Sequence, residues 1–311
     1  MSEDKNFTLA DLAEYTNSKV IGNGNVVVNN LATIKSANSD SITFLSNTKY
    51  TSFLETTKAV AVVVHESHET KEGMNYLKSK DPYLVFAKLS TIFKKSNPDN
   101  SLAIIHPSAV ISPSANIGKN VNIGANVVIG HDCIVEDDVV IKSNTSLVQD
   151  VHIGKRSIIH NNAILGSDGF GYAPSKDGYI KIEQLGKLII GSDVEIGSGC
   201  SIDRGALDNT EIHDGVKLDN QVHIAHNVII GKNSAIAACC AIAGSSVIGE
   251  NFQMGGLSGV LGHLSICDDV IIGAHTLITK NIKEPGNYIG IMPAQNQKDW
   301  AKSSIFIKNR G

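Results

Sequence analysis

Aliphatic residues recur at every sixth position from Ile105 through Ile111, Ile117, Ile123, Ile129, Val135, Ile141, Leu147, Ile153 and Ile159 to Leu165. The beat resumes at Ile190, Ile196 and Ile202, then runs unbroken from Ile212 to Ile278, with Met254 and Val260 among its members. A helix repeats near 3.6 residues and a strand at 2, so a period of six is neither. The residue two places before an anchor is also apolar or small, as at Val121, Val127, Cys133, Val139, Thr145 and Val151. Side chains two apart share one face of a strand. Each hexad therefore reads as a short strand with two inward residues and a corner, the pattern of a parallel β-helix with three strands per coil.

Corner chemistry agrees. Three places after an anchor stand residues that tolerate positive φ: Asn120, Asn126, Asp132, Asp138, Asn144, Asp150, Asn162 and Asp168, with Arg156 as the exception. Gly118, Gly124, Gly130 and Gly154 directly follow anchors, where a side chain would crowd the next coil. Twenty-six anchors predict roughly eight to nine coils, stacked about 4.8 Å apart.

Two breaks interrupt the prism. Residues 166–187, rich in Gly and carrying Phe170, Tyr172 and Tyr179, read as a loop thrown out of one corner. Between Ile202 and Ile212 the spacing is ten, so four extra residues are expected to bulge outward around Arg204. Insertions in solenoids gather on a binding face. The expected architecture is mainly β: residues 1–100 a small α/β domain, 101–290 the β-helix, and 291–311 a C-terminal helical extension.

In the first domain, Thr8 with Asp11 signals a helix start before Leu9, Leu12 and Ala13. Strands are expected at 25–28, 41–45 and 59–64. Asp81 and Pro82 open a helix with Leu84, Phe86, Leu89, Ile92 and Phe93 on its apolar side. A last helix over 294–308 offers Trp300, Ile305 and Phe306 as apolar contacts.

A net charge of −4 gives no nucleic-acid footprint. The longest aliphatic run, Ala59 to Val64, is far too short to span a membrane. With no secretory pattern at Met1-Ser-Glu-Asp, the expected address is cytoplasmic. Five cysteines form neither a zinc pattern nor a disulfide framework; Cys133, Cys200 and Cys240 occupy inward positions, and Cys239 faces the opposite way from Cys240.

Flat sheet faces leave few concavities, so an active site belongs at an insertion or between subunits, and a triangular prism suits a homotrimer. His226 follows anchor Ile224 by two. The plain alternative is a polar corner residue, as His131 is after Ile129. Gly244 lies eighteen residues on, one full coil, and should place a bare N–H beside the imidazole. A base and an oxyanion donor together are what acyl transfer needs. His263 takes a corner normally held by Asn or Asp, as does His275. His223 and His226 form HxxH without a third ligand, so no metal site is assigned. Phe44, Asn47 and Tyr50 cluster at a strand-to-loop edge, where aromatics also serve as core.

The strings Ser167-Asp-Gly-Phe-Gly-Tyr-Ala173, Ile202-Asp-Arg-Gly-Ala-Leu-Asp208 and Leu218-Asp-Asn-Gln-Val-His-Ile-Ala-His-Asn227, with Gly262-His263 beyond, resemble the UDP-3-O-(3-hydroxyacyl)glucosamine N-acyltransferases of lipid A biosynthesis. The resemblance covers almost the whole chain. It implies a left-handed β-helix trimer that moves a (3R)-3-hydroxyacyl group from acyl carrier protein to the 2-amino group of UDP-3-O-acylglucosamine. It implies no cofactor beyond the 4′-phosphopantetheine of that donor. By resemblance His226 is the general base, Gly244 the oxyanion donor, and Asp219 the acid that orients His226. His263 is then a substrate-binding histidine, Phe44 and Tyr50 sandwich the uracil, Asn47 contacts the nucleotide, and His223 stands outside catalysis. Rival readings are the UDP-N-acetylglucosamine O-acyltransferase, an acetyl-CoA-dependent nucleotide-sugar N-acetyltransferase, a γ-carbonic-anhydrase-like metalloenzyme and a non-catalytic solenoid.

Overall fold

The structure, a computed structural model, describes residues 6–46, 48–94, 104–291 and 294–308. They form two compact units, one on each side of residue 97.

The six-residue beat builds what it predicts, a parallel β-helix, left-handed as the resemblance implies. Two faces of the prism carry nine strands each and the third eight, all in parallel register. Eight to nine coils at about 4.8 Å make a prism on the order of 40 Å long. Every anchor from Ile123 to Ile278 is buried, the last being 7% exposed, and each such side chain contributes roughly 1.5–3 kcal/mol. Ile105 is 50% exposed instead, because it makes only an isolated bridge, to Ile123, at the end of the stack. Asn120 to Asn162 take positive φ at every expected corner, Arg156 included at 59°. A Cβ on Gly130 would fall 1.6 Å from the Val148 carbonyl oxygen, so that corner excludes any side chain.

Asp168 departs from the pattern. The turn there is made by Gly166 at φ 81°, and the ladder to the next coil shifts register between Leu165 and Ser167. Residues 166–187 then form an antiparallel hairpin, Tyr172–Ser175 with Gly178–Lys181, exposing Phe170 and Tyr179. In the shorter insertion Leu207 bulges outward, whereas Arg204, expected outside, is 3% exposed. Its guanidinium donates to the Gly186 carbonyl at 2.8 Å and to Asp150 Oδ2 at 3.0 Å. A buried cation needs such partners. One insertion is thereby tied to the other.

The N-terminal unit is α/β, as read. Its five-stranded sheet runs Lys19–Ile21, Tyr76–Ser79, Ala61–His65, Ser41–Phe44, Asn30–Leu31, parallel except for the first pair. The helix Leu9–Thr16 starts with a capping box between Thr8 and Asp11. In Pro82–Phe93, capped by Asp81, Leu89 is buried and Ile92 and Phe93 pack against the same core as expected, whereas Leu84 is 52% exposed and Val85 is buried in its stead. The last helix is Gln297–Lys308, with Trp300 57% exposed and not packed as expected. The side chains of Ile305 and Phe306 lie outside the description.

Candidate active site

His226 stands at the turn after the strand His223–Ile224, on the edge where Gly244 and Gly262 occupy the equivalent place one and two coils on. The eighteen-residue lap brings imidazole and glycine into contact: a Cβ on Gly244 would lie 2.9 Å from both Cε1 and Nε2 of His226. The Ser245 N–H, next in the chain, donates to the His226 carbonyl at 3.0 Å. The Gly244 N–H donates to no group among the described residues and is free for a ligand.

The proton on His226 is fixed by its neighbour. Nδ1 lies 2.9 Å from Asn227 Oδ1. That oxygen also accepts the Ala206 N–H at 3.0 Å, while Asn227 Nδ2 donates to the Asp208 carbonyl at 2.9 Å. A backbone N–H can only donate and a carbonyl only accept, so the amide cannot be reversed. His226 Nδ1 must then carry a hydrogen, so that in the neutral imidazole the bare lone pair is on Nε2, facing Gly244. Asn227 itself sits at φ 60°, which Asn tolerates better than most residues.

Both insertions converge here. The longer one lays Gly169 on the other side of the ring, where a Cβ would lie 2.8 Å from Cβ and Cδ2 of His226. The shorter supplies Ala206 and Asp208, which hold Asn227. Asp203, at the end of the strand Ser201–Asp203, is 7% exposed and accepts from Ser167 Oγ at 3.0 Å. Burial pushes its carboxyl up from the ordinary aspartate value, against the lowering by Ser167 and by the positive fields of His223 and His226. His223 Nε2 is 3.8 Å from Asp203 Oδ2.

Asp219 does not orient His226 within this chain. Seven residues is one hexad plus one, which carries the chain round to the neighbouring edge. There the exposed Asp219 accepts the N–H groups of Asn220 at 2.7 Å and Ala238 at 3.2 Å. It borders a groove of about 690 Å³ lined by Leu218, Ala235, Ala237 and Met254, not by His226. His263 lies on the His226 edge, its N–H bonded to the Gly244 carbonyl at 3.0 Å. Two coils separate the histidines, about 10 Å, too far for direct proton exchange.

In the N-terminal unit, Phe44 and Tyr50 line one pocket of about 530 Å³ together with Thr33, Lys35, Ser46 and Tyr83. Phe44 also stacks on Phe86 with ring centroids 4.0 Å apart. Asn47 lies outside the described residues. Sequence reasoning missed Asn227, Gly169 and Asp203. The first stands in the quoted His226 motif as an ordinary corner residue, and the others act across coils whose spacing the insertions change.

Residues 25–92 match the family model of UDP-3-O-(3-hydroxymyristoyl) glucosamine N-acyltransferase, LpxD. Residues 103–169 match that of the GMPPB C-terminal domain, and 209–244 the six-repeat bacterial transferase hexapeptide. The chain is similar to the UDP-3-O-acylglucosamine N-acyltransferase of Hahella chejuensis, 46% identical over 318 positions covering 96% of this chain and 91% of the relative. Its similarity to the enzyme of that description from Pseudoalteromonas translucida is 43% identity, covering 98% and 95%. Among solved structures, a UDP-N-acetylglucosamine acyltransferase superposes with a TM-score of 0.56 at 26% identity, covering 66% of this chain and 80% of the other.

Proposed function

The chain belongs to the UDP-3-O-acylglucosamine N-acyltransferases, and from that premise we propose that His226 and the Gly244 N–H run its reaction from one edge of the prism. The enzyme transfers an acyl group to the amine of UDP-3-O-acylglucosamine, the N-acylation step of lipid A biosynthesis. The UDP-N-acetylglucosamine acyltransferase structure leaves a third of the chain uncovered, whereas the UDP-3-O-acylglucosamine N-acyltransferases align with nearly all of it.

The observation that carries the mechanism is the bare Nε2 beside a free N–H on the next coil. On this reading the donor is a (3R)-3-hydroxyacyl thioester of the phosphopantetheine arm of acyl carrier protein, and the reaction needs no other cofactor. The amine nitrogen attacks the thioester carbon. As the C–N bond forms, Nε2 takes the amine proton and the Gly244 N–H binds the oxyanion. The C–S bond then breaks, and the imidazolium returns its proton to the departing sulfur, giving amide and thiol. No acyl-enzyme is needed: Cys133, Cys200 and Cys240 are buried, and their thiols are pushed up from the usual range by that burial.

Phe44 and Tyr50 would stack the uracil, with Asn47 on the nucleotide and His263 binding substrate further along the edge. The pocket holding both aromatics supports this assignment. A homotrimer follows from the flat, regular faces of the prism, and a monomer in sedimentation would exclude it. Among the described residues no helix is long and apolar enough to cross a membrane, and a nucleotide-activated acceptor goes with work in the cytoplasm. The test is acylation of UDP-3-O-acylglucosamine by hydroxyacyl thioesters of acyl carrier protein, with the product identified by mass. Acylation from acetyl-CoA alone, or no product with any hydroxyacyl donor, would overturn the reading.

A further inference from the structure

A buried carboxylate, Asp203, stands next to the turn that carries His226, with one of its oxygens outside any hydrogen bond among the described residues. In the strand Ser201–Asp203, Ile202 points into the core, so Ser201 and Asp203 point outward on the same face. An outward aspartate on a prism face should be hydrated. Asp203 is instead 7% exposed, because the chain from Ser167 onward closes over it and Ser167 Oγ donates to Oδ1 at 3.0 Å. The neighbouring strand is His223–Ile224, paired Ser201↔His223 and Ile202↔Ile224, so Asp203 stands one step further along, next to the turn that carries His226.

Its second oxygen has no hydrogen-bond partner among the described residues. His223 Nε2 is 3.8 Å from Oδ2, within ion-pair distance but beyond hydrogen-bond reach. Arg204, the very next residue, turns its guanidinium away to Asp150 and the Gly186 carbonyl. Asp203 Oδ2 is therefore left with no hydrogen bond and only a loose ion pair to His223, although a guanidinium is adjacent in sequence. A buried carboxylate oxygen without a hydrogen bond is costly, and this one stands next to the turn that carries His226.

We propose that Asp203 is the acceptor-recognition residue, its Oδ2 taking a charge-assisted hydrogen bond from the primary amine of the amino sugar and selecting that amine over a hydroxyl. The inference rests on the proposed function. The amine is bound as an ammonium; one proton is released to water before attack, and the second passes to His226 as the C–N bond forms. A bond from a charged group contributes about 1.5–3 kcal/mol, or roughly 10- to 100-fold in affinity. A neutral hydroxyl at the same carbon forfeits most of it.

The test compares UDP-3-O-acylglucosamine with its 2-hydroxyl counterpart, a UDP-3-O-acylglucose, by binding and by KM. The native enzyme should prefer the amine by roughly 10- to 100-fold. Asp203→Asn, whose amide oxygen can still accept the Ser167 hydroxyl, should bring the preference close to unity while leaving KM for the thioester donor unchanged. Ser167→Ala, which removes only the strut, should keep the preference. An unaltered preference in Asp203→Asn, or its equal loss in Ser167→Ala, would reduce Asp203 to a support of the inserted loop and overturn the inference. Should the native enzyme fail to acylate the amino sugar at all, the proposed function falls instead; an active native enzyme with an unmoved ratio sinks this inference alone.

Discussion

Gly244→Ala places one methyl group at the contact on which the proposed chemistry rests. Gly244 has an ordinary φ, so the backbone accepts alanine without strain. The new Cβ, however, would sit 2.9 Å from Cε1 and 2.9 Å from Nε2 of His226, about 0.5 Å inside ordinary contact. The ring has little room to yield. Gly169 closes against its Cβ and Cδ2 side, and Nδ1 is held at 2.9 Å by Asn227. Moving the ring by 0.5–1 Å either stretches that bond or turns Nε2 off the amine, and the methyl also screens the Gly244 N–H from the oxyanion. Misplacement of this size costs about 10²-fold and loss of an oxyanion donor about 10²- to 10³-fold. The expected result is a kcat lowered by 10² or more, with KM for the UDP-sugar nearly unchanged, since the proposed nucleotide contacts, Phe44 and Tyr50, are untouched by the change. Steady-state acylation read by product mass gives both constants, and thermal unfolding should show a Tm within a few degrees of native. Near-native kcat would mean that neither the imidazole nor the Gly244 N–H faces the reacting atoms.

Other outcomes follow from the same geometry. His226→Ala should lower kcat by about 10²- to 10⁴-fold, and retention of turnover would remove the imidazole from proton transfer. Phe44→Ala should raise KM for the UDP-sugar without a comparable loss of kcat; an unchanged KM returns Phe44 to a packing role against Phe86. Asp150→Asn leaves the buried Arg204 guanidinium without its carboxylate, and urea denaturation should register a loss of roughly 3 kcal/mol, which a surface ion pair would not give. Because burial raises the Asp203 carboxyl, its contribution to stability is full below the unfolded value near 4 and is lost as pH rises through the higher folded value. Asp203→Asn should therefore melt above native at pH 7 and lose that advantage below about pH 4; a lower Tm at pH 7 would refute the sign.

How much of this was legible depends on which contacts obey the repeat. An eighteen-residue lap relates His226 to Gly244 whatever the side chains around them, so the pair could be placed from spacing alone. The same arithmetic fails for Asp219, because seven residues carry the chain past a corner to another edge. It fails again for Asp203 and His223, neighbours in the sheet at a separation of twenty, where the shorter insertion has broken the period. Arg204 was misread for a related reason: extra residues in a solenoid look like solvent-facing bulge, but here the insertion folds back and its charge is spent inside, on Asp150. Asn227 shows a subtler limit. As one more positive-φ corner it is indistinguishable from Asn233 or Asn251, and its control of the His226 tautomer depends on Ala206 and Asp208, two residues that exist only because the period lapses. Regular coils thus make the edge and bring the proposed base to the proposed oxyanion donor, while the two departures from regularity decide which nitrogen is bare and what lies beside it. In a scaffold built of near-identical turns, the candidate edge is marked by where the repeat is interrupted.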